Sequence, residues 1–178
     1  MTAAHPLRSR LNAWATGMLF GLLQWGSFFV LQSYLSSTAL VWLLASLVWL
    51  AGSLWGLIGQ FGRLSERTWL ALSLGAYVAL GRFARAFPYD LALLPVLLGL
   101  LAVMGIYAGR FFRLRPARGP AGAKWLFFLE NTGFVAGLLA TVFGLFSLGE
   151  GWLLAAPAGT TVLCWLTRPL APPAPAEE

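Results

Sequence analysis

Residues 38–58 read TALVWLLASLVWLAGSLWGLI, a run without one Asp, Glu, Lys or Arg. As a helix rising ~1.5 Å per residue it reaches about 30 Å, the thickness of a bilayer's hydrocarbon core. That reading predicts a membrane-crossing helix, and the same pattern recurs on either side of it. One apolar stretch precedes it, from about Ala13 to Leu35. Four follow: Thr68 to Gly81, Leu91 to Tyr107 or slightly beyond, Trp125 to about Phe146, and Trp152 to Leu166. The expected fold is therefore all-α, a polytopic transmembrane bundle of six helices over residues 13–167. A polar tail, 1–12, precedes the bundle. A Pro-rich tail, 168–178, follows it and is expected to be disordered.

Composition points the same way. Of 178 residues, 59% are hydrophobic and 10% charged, where a soluble domain carries roughly 25% charged residues. Mean hydropathy is +0.76. The net charge of +6 does not mark a nucleic-acid surface, because the cations fall in short connectors between apolar runs. Arg8, Arg10, Arg63, Arg67, Arg110, Arg113, Arg115, Arg118, Lys124 and Arg168 share one side if six spans alternate, and Arg82 and Arg85 lie on the other. By the positive-inside rule this places both termini in the cytoplasm and the chain in the cytoplasmic (inner) membrane. Arg82 and Arg85 make the third span the shortest apolar run. The segment from Arg110 to Lys124, rich in Pro and Gly, reads as a loop, and Pro88-Tyr89-Asp90 as a turn.

The chemistry-bearing residues are few. His5 is the only histidine and Cys164 the only cysteine, which excludes bis-histidine haem, histidine-rich metal sites and an internal disulfide. No nucleophile–base set, paired carboxylates or Gly-rich phosphate loop stands in the spans, so neither catalysis nor a cofactor is expected. Within the bilayer each polar group is a candidate site. Glu130, Asn131 and Thr132 stand near the start of the fifth span, Gln24 in the first and Arg82 in the third. They line a polar cavity, or else Glu130 tethers the cationic loop through Arg110 or Lys124 while Arg82 and Arg85 snorkel outward. Gly52, Gly56 and Gly59 recur along the second span, Gly105 and Gly109 along the fourth, and Gly133 and Gly137 along the fifth. This spacing lets helix backbones pack closely.

The layout resembles the membrane region of the prokaryotic spermidine-synthase-like integral membrane proteins, itself similar to half of a major-facilitator transporter. The resemblance rests on Ser37-Thr38 opening the second span, Gly52-Ser53-Leu54-Trp55-Gly56 closing it, and Asn131-Thr132-Gly133 with Gly137 in the fifth. Glu130 departs from the family's pattern, as does Gly133 in following Thr132 at once. The aminopropyl-transferase domain has no counterpart here, so the resemblance implies a six-helix fold rather than polyamine chemistry. By size the chain is also similar to the six-helix substrate-binding component of a vitamin-uptake transporter. Two functions are then expected. One is a non-catalytic membrane subunit packing through its glycine faces against other membrane chains. The alternative is a small-solute transporter or binding component, working as a homodimer of six-helix halves. Membrane lipid surrounds either.

Overall fold

The computed structural model describes residues 4–36, 38–61, 64–115 and 119–168, with side chains from Leu7 onward. The fold is an all-α bundle of six helices: α1 (Ala4–Tyr34), α2 (Ala39–Ile58), α3 (Glu66–Ala86), α4 (Leu94–Leu114), α5 (Gly119–Leu148) and α6 (Gly151–Thr167). There is no strand among the described residues. Four of the helices, α1, α2, α4 with its preceding 3-10 turn (Leu91–Leu93), and α5, are long and apolar enough to cross a membrane. Glu66, Arg67, Arg82 and Arg85 shorten the apolar stretch of α3, and α6 has 17 residues. The outer faces of α2 and α5 carry Leu43, Leu47, Leu50, Phe128, Leu139 and Phe143 in the open, a surface suited to lipid rather than water.

Several boundaries depart from the sequence reading. α1 begins at Ala4, so residues 4–12 are helix rather than tail, and Asn12 is 1% exposed. Its amide donates to the Cys164 carbonyl at 2.7 Å and to the Thr167 hydroxyl at 2.9 Å, tying the start of α1 to the end of α6. Arg110 and Arg113 lie in α4 and Lys124 in α5, not in a loop. Pro120 sits in the first turn of α5, where its missing N–H has no helical acceptor to lose. Arg168 belongs to the bundle, pairing with Glu66 at 3.4 Å. The rest of the Pro-rich tail, His5, Arg63, Arg118 and Ser37 lie outside the described side chains.

The helix ends are held by specific contacts. Ser65 caps α3 by accepting from the Thr68 N–H. At the Pro88-Tyr89-Asp90 turn, Tyr89 takes φ 64, and its N–H donates to the Tyr34 carbonyl at 2.6 Å. Pro157 inside α6 leaves the Leu153 carbonyl without its helical donor. The Tyr77 hydroxyl of α3 supplies one at 2.6 Å.

Helix pairing decides the architecture. α1 is central, with 72% of its apolar window buried against 28% or less in the other three. It packs along α5, while α2 packs along α4. Both seams are parallel and both are built on glycine. A Cβ at Gly17 would lie 2.0 Å from the Glu130 carbonyl oxygen, and one at Gly105 would lie 2.6 Å from that of Trp49. Gly21 faces the Phe134 carbonyl and the Leu138 amide; Gly109 faces the Ser53 carbonyl and the Leu57 amide. From the other side, Gly133 and Gly137 abut Trp14 and Met18, as Gly52 and Gly56 abut Ala102 and Ile106. The two seams thus match residue for residue, with α1 standing for α4 and α5 for α2. The third helices follow: α6 packs on α1 as α3 packs on α4. The chain approximates two three-helix units of opposite direction, although α1 also meets α2 and α3, and α5 meets α6, without counterparts in the other unit.

Candidate functional site

Between the two seams the helices part. No close backbone contact joins α2 or α4 to α5, and the space between them is an open-sided cavity of about 560 Å³, with Leu54, Leu57 and Phe127 exposed at its mouth. Trp49, Ser53, Leu54 and Leu57 line it from α2, and Ala108, Gly109, Phe112 and Arg115 from α4. Ala123, Leu126, Phe127, Glu130 and Phe134 close it from α5, and Phe20 of α1 forms its back wall. Phe112 and Phe127 stack at 4.8 Å and bridge α4 to α5. Phe20 is wedged edge-on against Tyr107 at 5.3 Å and Phe111 at 5.8 Å. Most of the wall is aromatic or aliphatic, as in small-molecule sites generally.

Glu130 is the polar residue that defines this space. It is 9% exposed, and among the described residues no hydrogen bond or ion pair reaches its carboxylate. The expected tether does not form. Arg110 packs its guanidinium over Phe61 at 5.8 Å and Trp69 at 5.4 Å, and Lys124 is exposed. The match between the seams gives the reason for the position. Glu130 occupies on α5 the place that Trp49 occupies on α2, each offering its backbone carbonyl to a glycine of the facing helix. The inward face of α5 is fixed by Gly133 and Gly137, and Glu130 lies one turn before Gly133 on that face.

The other sequence candidates do not join it. Asn131 and Thr132 are exposed on the outside of α5. Each turns back on its own helix, Asn131 donating to the Phe127 carbonyl at 2.9 Å and Thr132 to that of Phe128 at 2.8 Å. Gln24 is half-buried on α1, and Arg82 is exposed near the far end of α3. Among the described residues no contact joins them to each other or to Glu130. Arg82 instead lies beside Arg85 in a crevice of about 30 Å³. The glycines Gly52, Gly56, Gly105, Gly109, Gly133 and Gly137 all lie within the two seams. Gly59 lies past the end of α2, against Trp55 and Phe61.

Two polar clusters that the sequence reading did not single out brace the ends of the bundle. At the cation-rich end Arg115 pairs with Glu66 at 2.7 Å and donates to the Asn12 side-chain oxygen. Arg168 joins from α6, so Glu66 gathers α1, α3, α4 and α6. At the other end the Tyr34 hydroxyl donates to Glu150 at 2.6 Å, and Arg85 reaches the same carboxylate at 3.4 Å. The Gly17/Gly21 half of the first seam was also missed, although it shows the same four-residue spacing as the others.

Compared with protein-family models, with curated proteins and with solved structures, the chain has no match. The class the fold defines is a helical, membrane-type bundle.

Proposed function

We propose that the chain is a non-catalytic, multi-pass protein of the cytoplasmic (inner) membrane, six spans with both termini in the cytoplasm. It acts as a small-solute-binding, half-transporter-like unit. The observation that carries this is the cavity between the two helix seams, with a buried carboxylate on its wall that has no partner among the described residues. A structural bundle gains nothing from an ionisable group placed so, since burying an isolated charge costs several kcal/mol. The three-plus-three inverted arrangement supports the reading, for it is the plan of each half of a major-facilitator transporter. A second copy of the chain would then complete the transporter. Orientation is supported by both ends of the helical domain meeting at one face, where Arg8, Arg10, Arg67, Arg113, Arg115, Lys124 and Arg168 cluster.

The accessory-subunit reading needs small-residue faces free for a partner. The glycines expected to supply them are used inside the chain, but Gly75, Gly99 and Gly159 have open space before them. They keep a membrane partner as the second reading.

The test is access from water. In a Cys164→Ser background, Ala123→Cys and Ser53→Cys face the cavity, while Leu139→Cys faces outward. A membrane-impermeant thiosulfonate added from the cytoplasmic side is expected to modify the first two and spare the third. If neither cavity position reacts, the space has no route to water and the solute-binding reading fails.

A further inference from the structure

The walls of the cavity narrow the chemistry of what it can hold. Among the described residues its one uncompensated charge is negative, on Glu130. Arg115 also reaches the cavity, but its guanidinium is engaged by Glu66 and Asn12 and lies over the Phe111 ring at 4.7 Å. Hydrogen-bond donors are scarce: the Ser53 hydroxyl is spent on the Trp49 carbonyl at 2.9 Å. A neutral polar solute entering here would leave water without replacement partners, and an anion would meet Glu130. A hard metal ion takes six or more oxygens, and the described residues hold no metal-type cluster of His, Cys, Asp or Glu. What remains is an organic cation.

The aromatic rings agree. Phe20, Trp49, Phe112, Phe127 and Phe134 surround the space, and the faces of such rings attract cations, most strongly where water is excluded. The volume of about 560 Å³ falls within the range of drug-sized ligand sites. With one carboxylate and otherwise apolar walls, the site matches one positive charge on an apolar body. A polyamine does not fit, because its second and third ammonium groups would find no acceptor.

We propose that the cavity binds an amphiphilic organic monocation, its charge against Glu130 and its apolar body between Trp49 of α2 and Phe127 and Phe134 of α5. This deepens the solute-binding reading and rests on it.

The experiment uses the full chain in phosphatidylcholine nanodiscs, with empty nanodiscs as the partition control. Equilibrium dialysis compares tetraphenylphosphonium with two probes of nearly the same shape, the tetraphenylborate anion and neutral tetraphenylsilane. Saturable binding of the phosphonium alone is expected. Glu130→Gln should weaken it about tenfold or more, Glu130→Asp should retain most of it, and spermidine should not compete. Circular dichroism and a monodisperse elution profile establish that Glu130→Gln is folded. Equal phosphonium binding by folded Glu130→Gln overturns the proposal, as does competition by spermidine. If all three tetraphenyl probes bind alike and saturably, the cation assignment falls while a solute site stands. If none exceeds the empty nanodisc and the cavity cysteines also fail to label, both readings fall together.

Discussion

The glycine seams make a prediction whose sign differs between glycines inside them and glycines outside them. A Cβ added at Gly109 would sit 1.7 Å from the Ser53 carbonyl oxygen, and one at Gly17 would sit 2.0 Å from that of Glu130. Carbon–oxygen contact needs roughly 3.5 Å, so Gly109→Ala must push α2 and α4 apart by about 1.5–2 Å along the seam. Overpacking of this kind costs about 1–3 kcal/mol. It is partly offset by the better helix propensity of Ala, worth about 0.8–1 kcal/mol. The balance is a destabilisation of up to about 2 kcal/mol, which for a chain of this size lowers the melting temperature by up to roughly 8 °C. Gly75→Ala and Gly159→Ala have nothing within 4 Å to strike. There only the propensity term acts, and the melting temperature should stay level or rise by about 2–4 °C. Thermal melts in mild detergent, read by intrinsic tryptophan fluorescence, measure both. Gly56→Leu and Gly137→Leu, with larger side chains in the same seams, should fall further than Gly109→Ala. If the Gly109 and Gly75 variants shift in the same direction by similar amounts, the seams are not backbone contacts and the relation between the two units built on them is wrong.

Three further outcomes are expected. A single cysteine at Ser147 should react with impermeant reagent from outside the cell and one at Pro120 should not; the reverse pattern would invert the proposed orientation. Glu66→Gln removes the negative charge shared by Arg115 and Arg168 and turns one of its two acceptor oxygens into a donor, in a pairing mostly shielded from solvent. It should cost about 1.5–3 kcal/mol in a chemical-denaturation series, and a cost near zero would show that the cluster is not a brace. Glu150→Gln breaks an exposed pair at 3.4 Å and should change stability by less than about 1 kcal/mol, with that small effect vanishing in high salt; a larger, salt-independent loss would contradict the solvent screening assumed for it.

The existence and order of the helices were legible because apolar helices of this kind are written in uninterrupted apolar length. Their ends were not. Arg8, Arg10, Arg110, Arg113 and Lys124 look like loop residues, yet long cationic side chains extend from a helix to the interface without ending it, and Arg110 stays inside over Phe61 and Trp69. Asn12 reads as tail and is buried only because Cys164 and Thr167, far away in the chain, receive its amide. Glu130, Asn131 and Thr132 looked like one polar patch. Successive residues of a helix point about 100° apart, so three in a row do not share a face, and here Glu130 faces inward while the other two face out. Of the cavity only Glu130 was legible, not its apolar walls, since it is a gap between helices whose pairing local spacing does not encode. Glycine spacing says that a face will meet a backbone, but not whose.

Neither seam joins helices that are neighbours in the chain, and this governs the timing of assembly. α2 meets its mate only after α3 and α4 have been made, and α1 waits until α5. At ~5–20 residues per second, translation takes on the order of 10 s to pass from Gly17 to Gly137. Throughout that interval the glycine face of α1, the helix that ends at the centre, is bare. A nascent chain stopped anywhere before Leu94 has three helices and no backbone seam among them. The glycine faces of the first half therefore find their partners only when the second half is present.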